Sequence, residues 1–474
     1  MGILARDHDT IAAVSTPPGV GGIAVVRISG GGALEISQRV CPFLPSQPES
    51  HRIYYGFAQD IVSKTDIDEV LVSYFAEGRS FTGEGTLEIS CHGGTVVTAQ
   101  LLQELIKAGA RLAEPGEFTY RAFLNQRIDL VQAESVLGLI EANSKRSSRL
   151  ALRQLKGELS KFLVELEDRI HWILAHLEAN IDFAYEDIET ASDQTLIDQC
   201  EGLWTRVKGV VASYAQGRMI HDGVRIAIVG RPNVGKSSLM NAFLCEDRSI
   251  VTDIAGTTRD RVEGSCLFNG VRINLVDTAG LRETQDVVES LGIERAQKAL
   301  AEADLILLVV DLTDLGDFSE LRFLKEGCSS PLWLFGNKSD RVGSGSSMEV
   351  LQSWWGEAKK RLSDNEDSQK EVRLLVGNTL SESGLNEFRE NLTRFTASDF
   401  AGASAVLSNS RHFELFTTIE KGLCRAVELL KAGESPDLVA FELRDSLFAV
   451  HELIGKQFDD EVLDRVFKEF CLGK

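Results

Sequence analysis

Apolar positions change their period along the chain, and the changes mark four blocks. Over residues 1–118, the runs TIAAVSTP, GIAVVRIS and VLVSYF alternate apolar and polar positions as half-buried strands do, and TVVTAQLLQELIKAG has the spacing of one amphipathic helix. A small α+β domain is expected there. From 119 to 221 the period becomes helical. Leu152, Leu155, Leu159, Phe162, Leu166, Ile170, Ile173, Leu177 and Ile181 recur at spacings of three and four, predicting one long helix with an apolar face. A core stripe accounts for that pattern without any chemistry.

Between 222 and 398 the apolar runs shorten and lose their alternation: VRIAIVG, VEGSCLF, VRINLVD, LILLVV, PLWLFGN and VRLLVGN. Runs of this kind, separated by helical stretches, predict strands buried on both faces of an α/β nucleotide-binding module. Asn269-Gly270 predicts a hairpin between the second and third strands, so one neighbour is antiparallel. GSGSS at 343–347 and SDNEDSQKE at 363–371 read as exposed connections. Helical spacing resumes over 399–474, where Ser435-Pro436 signals a helix start and Leu438, Phe441, Leu447, Val450 and Ile454 form the expected stripe. Neither helical block makes a domain alone. The ends of a compact inserted module lie near each other, so 119–221 and 399–474 are expected to pack as one helical domain around the inserted module 222–398.

Composition narrows the function classes. A length of 474 residues suggests about three domains, and 43% hydrophobic with 26% charged residues is the balance of a folded soluble chain. The formal net charge of -21 argues against a broad basic face for nucleic acid, so an RNA partner must meet a local patch or a second protein. Eight cysteines form no C-x-x-C pair and no zinc spacing with the histidines, as expected for reduced thiols in the cytoplasm. The longest clear apolar run, LILLVV, is far short of a membrane span. MGILAR lacks a signal-peptide core and has Arg6 where myristoylation needs Ser or Thr, and CLGK ends on a lysine unsuited to prenylation. No membrane anchor is expected. GVGG at 19–22 precedes its strand and so fails the context test for a dinucleotide loop.

Chemistry concentrates in the 222–398 block. GRPNVGKSS, Gly230 to Ser238, fits G-x-x-x-x-G-K-[ST] between a strand and a helix. Its backbone amides and helix N-terminus suit phosphate oxygens, Lys236 suits the β/γ charge, and Ser237 offers a Mg²⁺ ligand. Asn337, Lys338 and Asp340 follow the fifth strand. The carboxylate of Asp340 can accept from both the ring N–H and the exocyclic amine of guanine, whereas adenine would leave it unpaired. In TDIAGTTRD, Thr258 is the candidate hydroxyl for Mg²⁺, with Asp277 holding the metal's water shell from the other side. The expected GTP-binding set is Asn233, Val234, Gly235, Lys236, Ser237, Ser238, Thr252, Asp253, Ile254, Ala255, Gly256, Thr257, Thr258, Asp277, Thr278, Ala279, Gly280, Asn337, Lys338 and Asp340. DTAGLRE then poses a question, because Leu281 stands where Ras-like enzymes carry a water-orienting glutamine.

Taken in order, TPPG…GGIAVVRISG, SFTGE, LEISCHGG, PGEFTYRAFLNQRIDL, QAE, GRPNVGKSS, TDIAGTTRD, DTAGLRE, VESLGIERA and the terminal FCLGK give a chain that resembles the MnmE (TrmE) family of tRNA-modification GTPases over nearly its whole length. One departure is VGNTLSESGL at 376–385, which lacks the Ser-Ala-Lys usual after the last strand. The resemblance implies a Ras-like P-loop GTPase domain inserted in a helical domain and preceded by a small α+β folate-binding and dimerisation domain. It also implies an answer to Leu281: K⁺, held by Asn233, Thr252, Ile254 and Thr257, takes the place of an arginine finger, and Glu289 positions water. For folate it implies Arg27, Glu88 and Arg127, together with Lys474, around a 5,10-methylene- or 5-formyl-tetrahydrofolate. Guanidinium matches a glutamate-tail carboxylate, and a carboxylate matches the donor edge of a pterin. Cys471 is either a nucleophile near that folate or a small apolar residue of the last helix.

The activity implied is GTP hydrolysis coupled to adding a carboxymethylaminomethyl or aminomethyl group at C5 of the wobble uridine of certain tRNAs. The implied assembly is a homodimer joined by an FAD-dependent protein of the MnmG (GidA) family in a heterotetramer, with tRNA held mainly by that partner. Two other classes compete with this reading: a regulatory GTP switch in ribosome assembly without tRNA chemistry, and a nucleotide-dependent scaffold with no significant hydrolysis.

Overall fold

The computed structural model describes residues 9–182, 192–246, 264–277, 297–316, 318, 330–342, 346–362, 372–397, 405–458, 460–468, 470 and 473. They fall into two compact units. One takes the described residues within Met1–Glu141, Ala151–Val211 and Glu414–Lys474; the other takes those within Ala142–Leu150 and Ala212–Phe413.

The first unit opens with β1 (Ile11–Val14), β2 (Ala24–Ser29), α1 (Ala33–Val40), β3 (Arg52–Gln59), β4 (Asp66–Phe75), β5 (Thr86–Cys91), α2 (Thr95–Lys107) and β6 (Arg111–Leu112). The strands form one sheet in the order β3-β4-β5-β2-β1-β6, antiparallel except for the β1/β6 pair. Alternation decides which side chains meet. Val26 and Ile28 of β2 join Leu87 and Ile89 of β5 in a core with Ile36, Leu101 and Leu105 of α1 and α2. The intervening Arg27 and Glu88 therefore point to the other face, and they are direct cross-strand partners. The predicted strands and the helix over 95–109 are present. α1, β3, β5 and β6 add to them.

Helices follow: α3 (Glu117–Leu124), α4 (Leu130–Ile140), α5 (Lys145–Leu155), which is divided between the units at Leu150, α6 (Glu158–Asp182), α7 (Asp193–Ala212) and α8 (Tyr214–His221), which belongs to the second unit. A capping box between Asp129 and Gln132 starts α4. The single long helix expected from Leu152 onward is two helices. Gly157, at φ +80°, breaks the ladder after α5, and Leu152 is exposed, while Leu159, Phe162, Leu166, Ile170, Ile173 and Leu177 of α6 are buried.

The second unit contains β7 (Val224–Val229), α9 (Lys236–Glu246), β8 (Gly264–Phe268), β9 (Val271–Asp277), β10 (Leu305–Asp311), β11 (Leu332–Asn337), α10 (Ser347–Leu362), β12 (Val372–Val376) and α11 (Asn386–Thr396). Its sheet runs β12-β11-β10-β7-β9-β8, parallel except between β8 and β9, where Asn269 (φ +49°) and Gly270 (φ +76°) make the tight turn. Both faces are covered. Leu305, Leu307 and Val309 pack with Phe243 and Phe388 on one side, and Ile306, Leu308 and Val310 pack with Leu351 and Trp354 on the other. The continuous apolar run of β10 is the consequence. Segments 343–345 and 363–371, expected as connections, lie outside the described residues.

Three helices complete the first unit: α12 (Ser410–Ala432), which enters it at Glu414, α13 (Pro436–Ile454) and α14 (Asp460–Lys468). Pro436 opens α13 as expected, yet the stripe needs correction. Leu447, Val450 and Ile454 are buried, but Leu438 and Phe441 are 49% and 61% exposed, and the inner face continues instead through Val439, Ala440 and Leu443. At ~100° per residue, Phe441 lies roughly 120° and Leu438 roughly 180° around the helix from Leu447. Leu463, Phe467 and Phe470 close over Tyr120, Phe123, Leu130 and Ala133, tying the chain's last helix to α3 and α4.

Candidate nucleotide and ligand sites

In the second unit, the carboxyl ends of β7, β9, β10 and β11 meet at one edge of the sheet, where open α/β sheets bind ligands. The registers fix this: Ile228 lies beside Asp277, Val229 beside Leu308, and Asp311 beside Asn337. The loop from Gly230 runs into α9, which begins at Lys236. Its glycines are required by close approach. A Cβ at Gly230 (φ +154°) would sit 2.4 Å from the Val309 carbonyl, and one at Gly235 (φ +101°) 2.2 Å from Asn337 Nδ2. Asn233 adopts φ +65° and is exposed, Val234 is buried, and Ser237 and Ser238 are both exposed on the first turn of α9. Lys236 is buried, its Nζ donating to the carbonyls of Gly230 and Arg231 at 2.8 Å each.

The second strand end holds this loop in place. Asn337, 1% exposed, donates from Nδ2 to the Val234 carbonyl at 2.8 Å, and among the described residues its buried Oδ1 has no partner. Lys338, in the left-handed region at φ +62°, donates from Nζ to Asn233 O at 3.2 Å and to Asp311 Oδ2 at 2.5 Å. Burial pushes the Asp311 carboxyl up, but Lys338 and two bonds from Thr313 outweigh it and hold the group low. Asp340 stands exposed in a short 3₁₀ turn, Ser339–Arg341. The divergent loop closes against it: Ser339 N donates to Gly377 O at 3.1 Å, and Asn378 Oδ1 accepts from the Leu380 and Ser381 amides, each at 3.1 Å. Amide-lined loop, helix start, buried lysine and orphaned Asn337 acceptor together fit a nucleotide with its phosphates over α9.

The first unit holds a cleft of roughly 240 Å³ on the face of the sheet opposite α1 and α2, and Arg27, Glu88 and Arg127 all line it. Arg27 Nε and Nη2 donate to Glu88 Oε1 at 3.0 and 2.8 Å, and its guanidinium lies 5.5 Å from the Phe118 ring centroid. Arg27 Nη1 also reaches the carbonyl of Gly473 at 3.4 Å. Gly473 (φ +89°) packs so tightly that a Cβ would meet the Val14 carbonyl at 2.4 Å. His51, Arg79 and Phe81 complete the rim, with His51 edge-on to Phe75. One carboxylate, three guanidiniums and two aromatic rings fit a flat heterocycle with an anionic tail.

Thr252, Asp253, Ile254, Ala255, Gly256, Thr257, Thr258, Thr278, Ala279, Gly280, Glu289, Cys471 and Lys474 lie outside the described residues. Asp277 is placed by the backbone of β9 alone. Burial pushes the thiols of Cys41 and Cys200 up to about 12, and that of Cys91 to about 11, which makes them inert as nucleophiles.

The description "MnmE helical domain" matches residues 130–471, and "GTP-binding protein TrmE N-terminus" matches residues 10–127. The "tRNA modification GTPase MnmE" of Bdellovibrio bacteriovorus is 43% identical over 99% of this chain and 98% of its own length. The protein of that name from Moorella thermoacetica is 40% identical over 98% of this chain and 99% of its own length. The chain belongs to the MnmE family. Among solved structures, a variant of Aquifex aeolicus Era bound to GDP.AlF4- is 27% identical over 42% of this chain and 66% of its own, with a TM-score of 0.28. No described helix is long and apolar enough to cross a membrane.

Asp311, His51, Arg79 and Gly473 are additions to the residues read from the sequence. Asp311 follows LILLVV directly, and an acid ending a buried strand level with Asn337 is a signal that register makes readable. No comparable signal marks His51 or Arg79.

Proposed function

We propose that this member of the MnmE family, a GTP hydrolase of tRNA modification, depends on K⁺ and Mg²⁺. We propose further that it uses a tetrahydrofolate one-carbon unit, with an FAD-dependent partner of the MnmG (GidA) family, to add a carboxymethylaminomethyl or aminomethyl group at C5 of the wobble uridine. When bound, the cations supply positive charge against the phosphate oxygens, and the 5,10-methylene- or 5-formyl-folate supplies the carbon. Lys236 exchanges its two carbonyl partners for β/γ-phosphate oxygens, and Asp340 accepts from the guanine edge. Ser237 and Thr258 are the Mg²⁺ ligands; Asn233, Thr252, Ile254 and Thr257 hold K⁺; Glu289 orients the attacking water. Glu88, held by Arg27, accepts from the donor edge of the folate heterocycle, Arg27 and Arg127 add charge for its carboxylates, and Lys474 lies with them. Cys471 is a candidate nucleophile beside the same ligand.

The observation that supports the folate part is the convergence of Arg27, Glu88 and Arg127, far apart in sequence, on one cleft. The net charge of -21 supports a division of labour in which the partner supplies most of the basic tRNA surface. A homodimer is supported by the exposed apolar side chains of Ile53, Tyr55, Phe57 and Leu71 on one face of β3 and β4. The setting proposed is the cytoplasm. The test is nucleoside analysis of tRNA from cells lacking this protein: loss of C5-modified wobble uridine is expected, and an unchanged profile overturns the reading.

A further inference from the structure

Outside the sets of residues assigned to nucleotide and folate, Glu167 of α6 is enclosed, its side chain only 9% exposed. Its Oε1 faces two imidazoles: His451 Nε2 from α13 at 2.9 Å, and His171 Nε2, one turn along α6, at 4.0 Å. All three prospective donor atoms lie within 4.8 Å of one another. We infer that Glu167, His171 and His451 form a binding site for a divalent transition metal of the zinc class, which would join α6 to α13.

The donor set selects the ion. Two imidazoles with one carboxylate suit Zn²⁺, Co²⁺ or Ni²⁺, whereas Mg²⁺ and Ca²⁺ favour sets made of oxygen. Donors around a tetrahedral ion lie roughly 3.4 Å apart, given metal–ligand distances of about 2.0–2.2 Å. His171 supplies the adjustment, because its ring is 54% exposed and can turn toward the carboxylate. Three protein donors leave a fourth position for water.

Lys456 is the competitor. Its Nζ lies 2.6 and 2.7 Å from the two oxygens of Glu167, and its side chain is 55% exposed. Lys456 and His451 both bond the Glu167 carboxyl, so an incoming dication meets a carboxylate that already faces an ammonium and an imidazole. A dication replaces the ammonium at that carboxylate, Lys456 turns into water, and His451 presents Nε2 as a lone pair with its proton on Nδ1. Removing the competing cation should therefore tighten metal binding, an effect opposite to that of removing a structural ion pair.

The test is titration of the full-length protein with Co²⁺ alone, followed by absorbance, and with Zn²⁺ alone, followed by calorimetry. One equivalent is expected, giving visible d–d bands without thiolate-to-cobalt charge transfer. His171→Ala, at an exposed position the fold does not need, should weaken binding at least about tenfold, since loss of even an outer-shell group costs about 10–100-fold. Lys456→Gln should tighten binding, with GTP hydrolysis unchanged in buffer free of transition metals. The inference fails if no band appears, if thiolate charge transfer dominates, if His171→Ala binds as the parent does, or if Lys456→Gln binds no more tightly.

Discussion

Asn337 Nδ2 donates to the carbonyl oxygen of Val234 at 2.8 Å, fastening the end of β11 to the phosphate loop across 103 positions of sequence. Val234 is 5% exposed, so Asn337→Ala leaves a buried carbonyl unpaired, at a cost of about 1–3 kcal/mol. Base-side and phosphate-side contacts share that bond. GTP and GDP affinities are both expected to fall, by roughly tenfold or more, in titrations with fluorescent nucleotides. Unaltered affinity would mean that the loop holds its shape without Asn337.

Arg27 and Glu88 pair across β2 and β5, with side chains 16% and 30% exposed. Arg27→Ala should weaken 5-formyl-tetrahydrofolate binding at least about tenfold, the loss of one charge-assisted contact of roughly 1.5–3 kcal/mol. Calorimetry with folate and with GTP separates the two sites. A normal folate affinity would place that ligand elsewhere.

Leu281 cannot orient water, and the proposal gives that task to Glu289 and the charge to K⁺ near Asn233. Glu289→Ala should bind GTP normally yet lose at least about 100-fold in hydrolysis rate, the usual scale for a lost water-positioning group. The unsubstituted protein should hydrolyse GTP faster in K⁺ than in Na⁺. Equal rates in the two salts would remove K⁺ from the site.

Legibility follows from how local the cause is. The strands of the second unit can be read because β10 and β11 are buried on both faces, and their apolar runs record that directly. The Asn269-Gly270 turn is equally local. The phase of α13 cannot be read so surely: with apolar residues also at Leu438 and Phe441, only the position of α6 decides which side faces inward. β3 carries Ile53, Tyr55 and Phe57 outward with Tyr54 half-buried behind them, so its alternation is blurred. The Arg27–Glu88 pair depends on a register spanning 61 positions, and Glu167, His171 and His451 meet only because two helices pack. Single charged residues carry no mark of such meetings.

Near the start of α3 the first unit encloses a charge network. Arg121, 3% exposed, bonds Glu117 Oε1 at 3.0 Å and Asp9 Oδ1 at 2.7 Å, and Arg111 bonds the same two carboxylates. Arg121→Ala breaks a buried array and should cost about 3–5 kcal/mol, seen as an earlier urea transition of this unit. Burial pushes the Asp9 and Glu117 carboxyls up, but the two arginines outweigh it, so both fall below their ordinary values of 3.8 and 4.5. Depressed carboxyls contribute stability that is complete above those ordinary values and is lost as pH falls through the lower folded ones. Acid unfolding should thus begin below about pH 4.5 in the parent and at a higher pH in Arg121→Ala. Identical acid midpoints would show that the network does not govern acid stability.

The face of β3 and β4 provides the last test. Ile53, Tyr55 and Phe57 are 63%, 62% and 48% exposed on an edge strand, beside Leu71 at 46%. Such a patch at a sheet edge invites association unless another surface covers it. If a second copy covers it, Phe57→Asp buries an unpaired carboxylate in the contact, and a cost of roughly 3 kcal/mol or more weakens dimerisation over 100-fold. The variant should sediment as a monomer at concentrations where the parent is a dimer, with its circular dichroism and GTP affinity retained, because β3 and the phosphate loop belong to separate units. A dimer of undiminished strength would mean that the two copies join through another surface, leaving this face to a different partner.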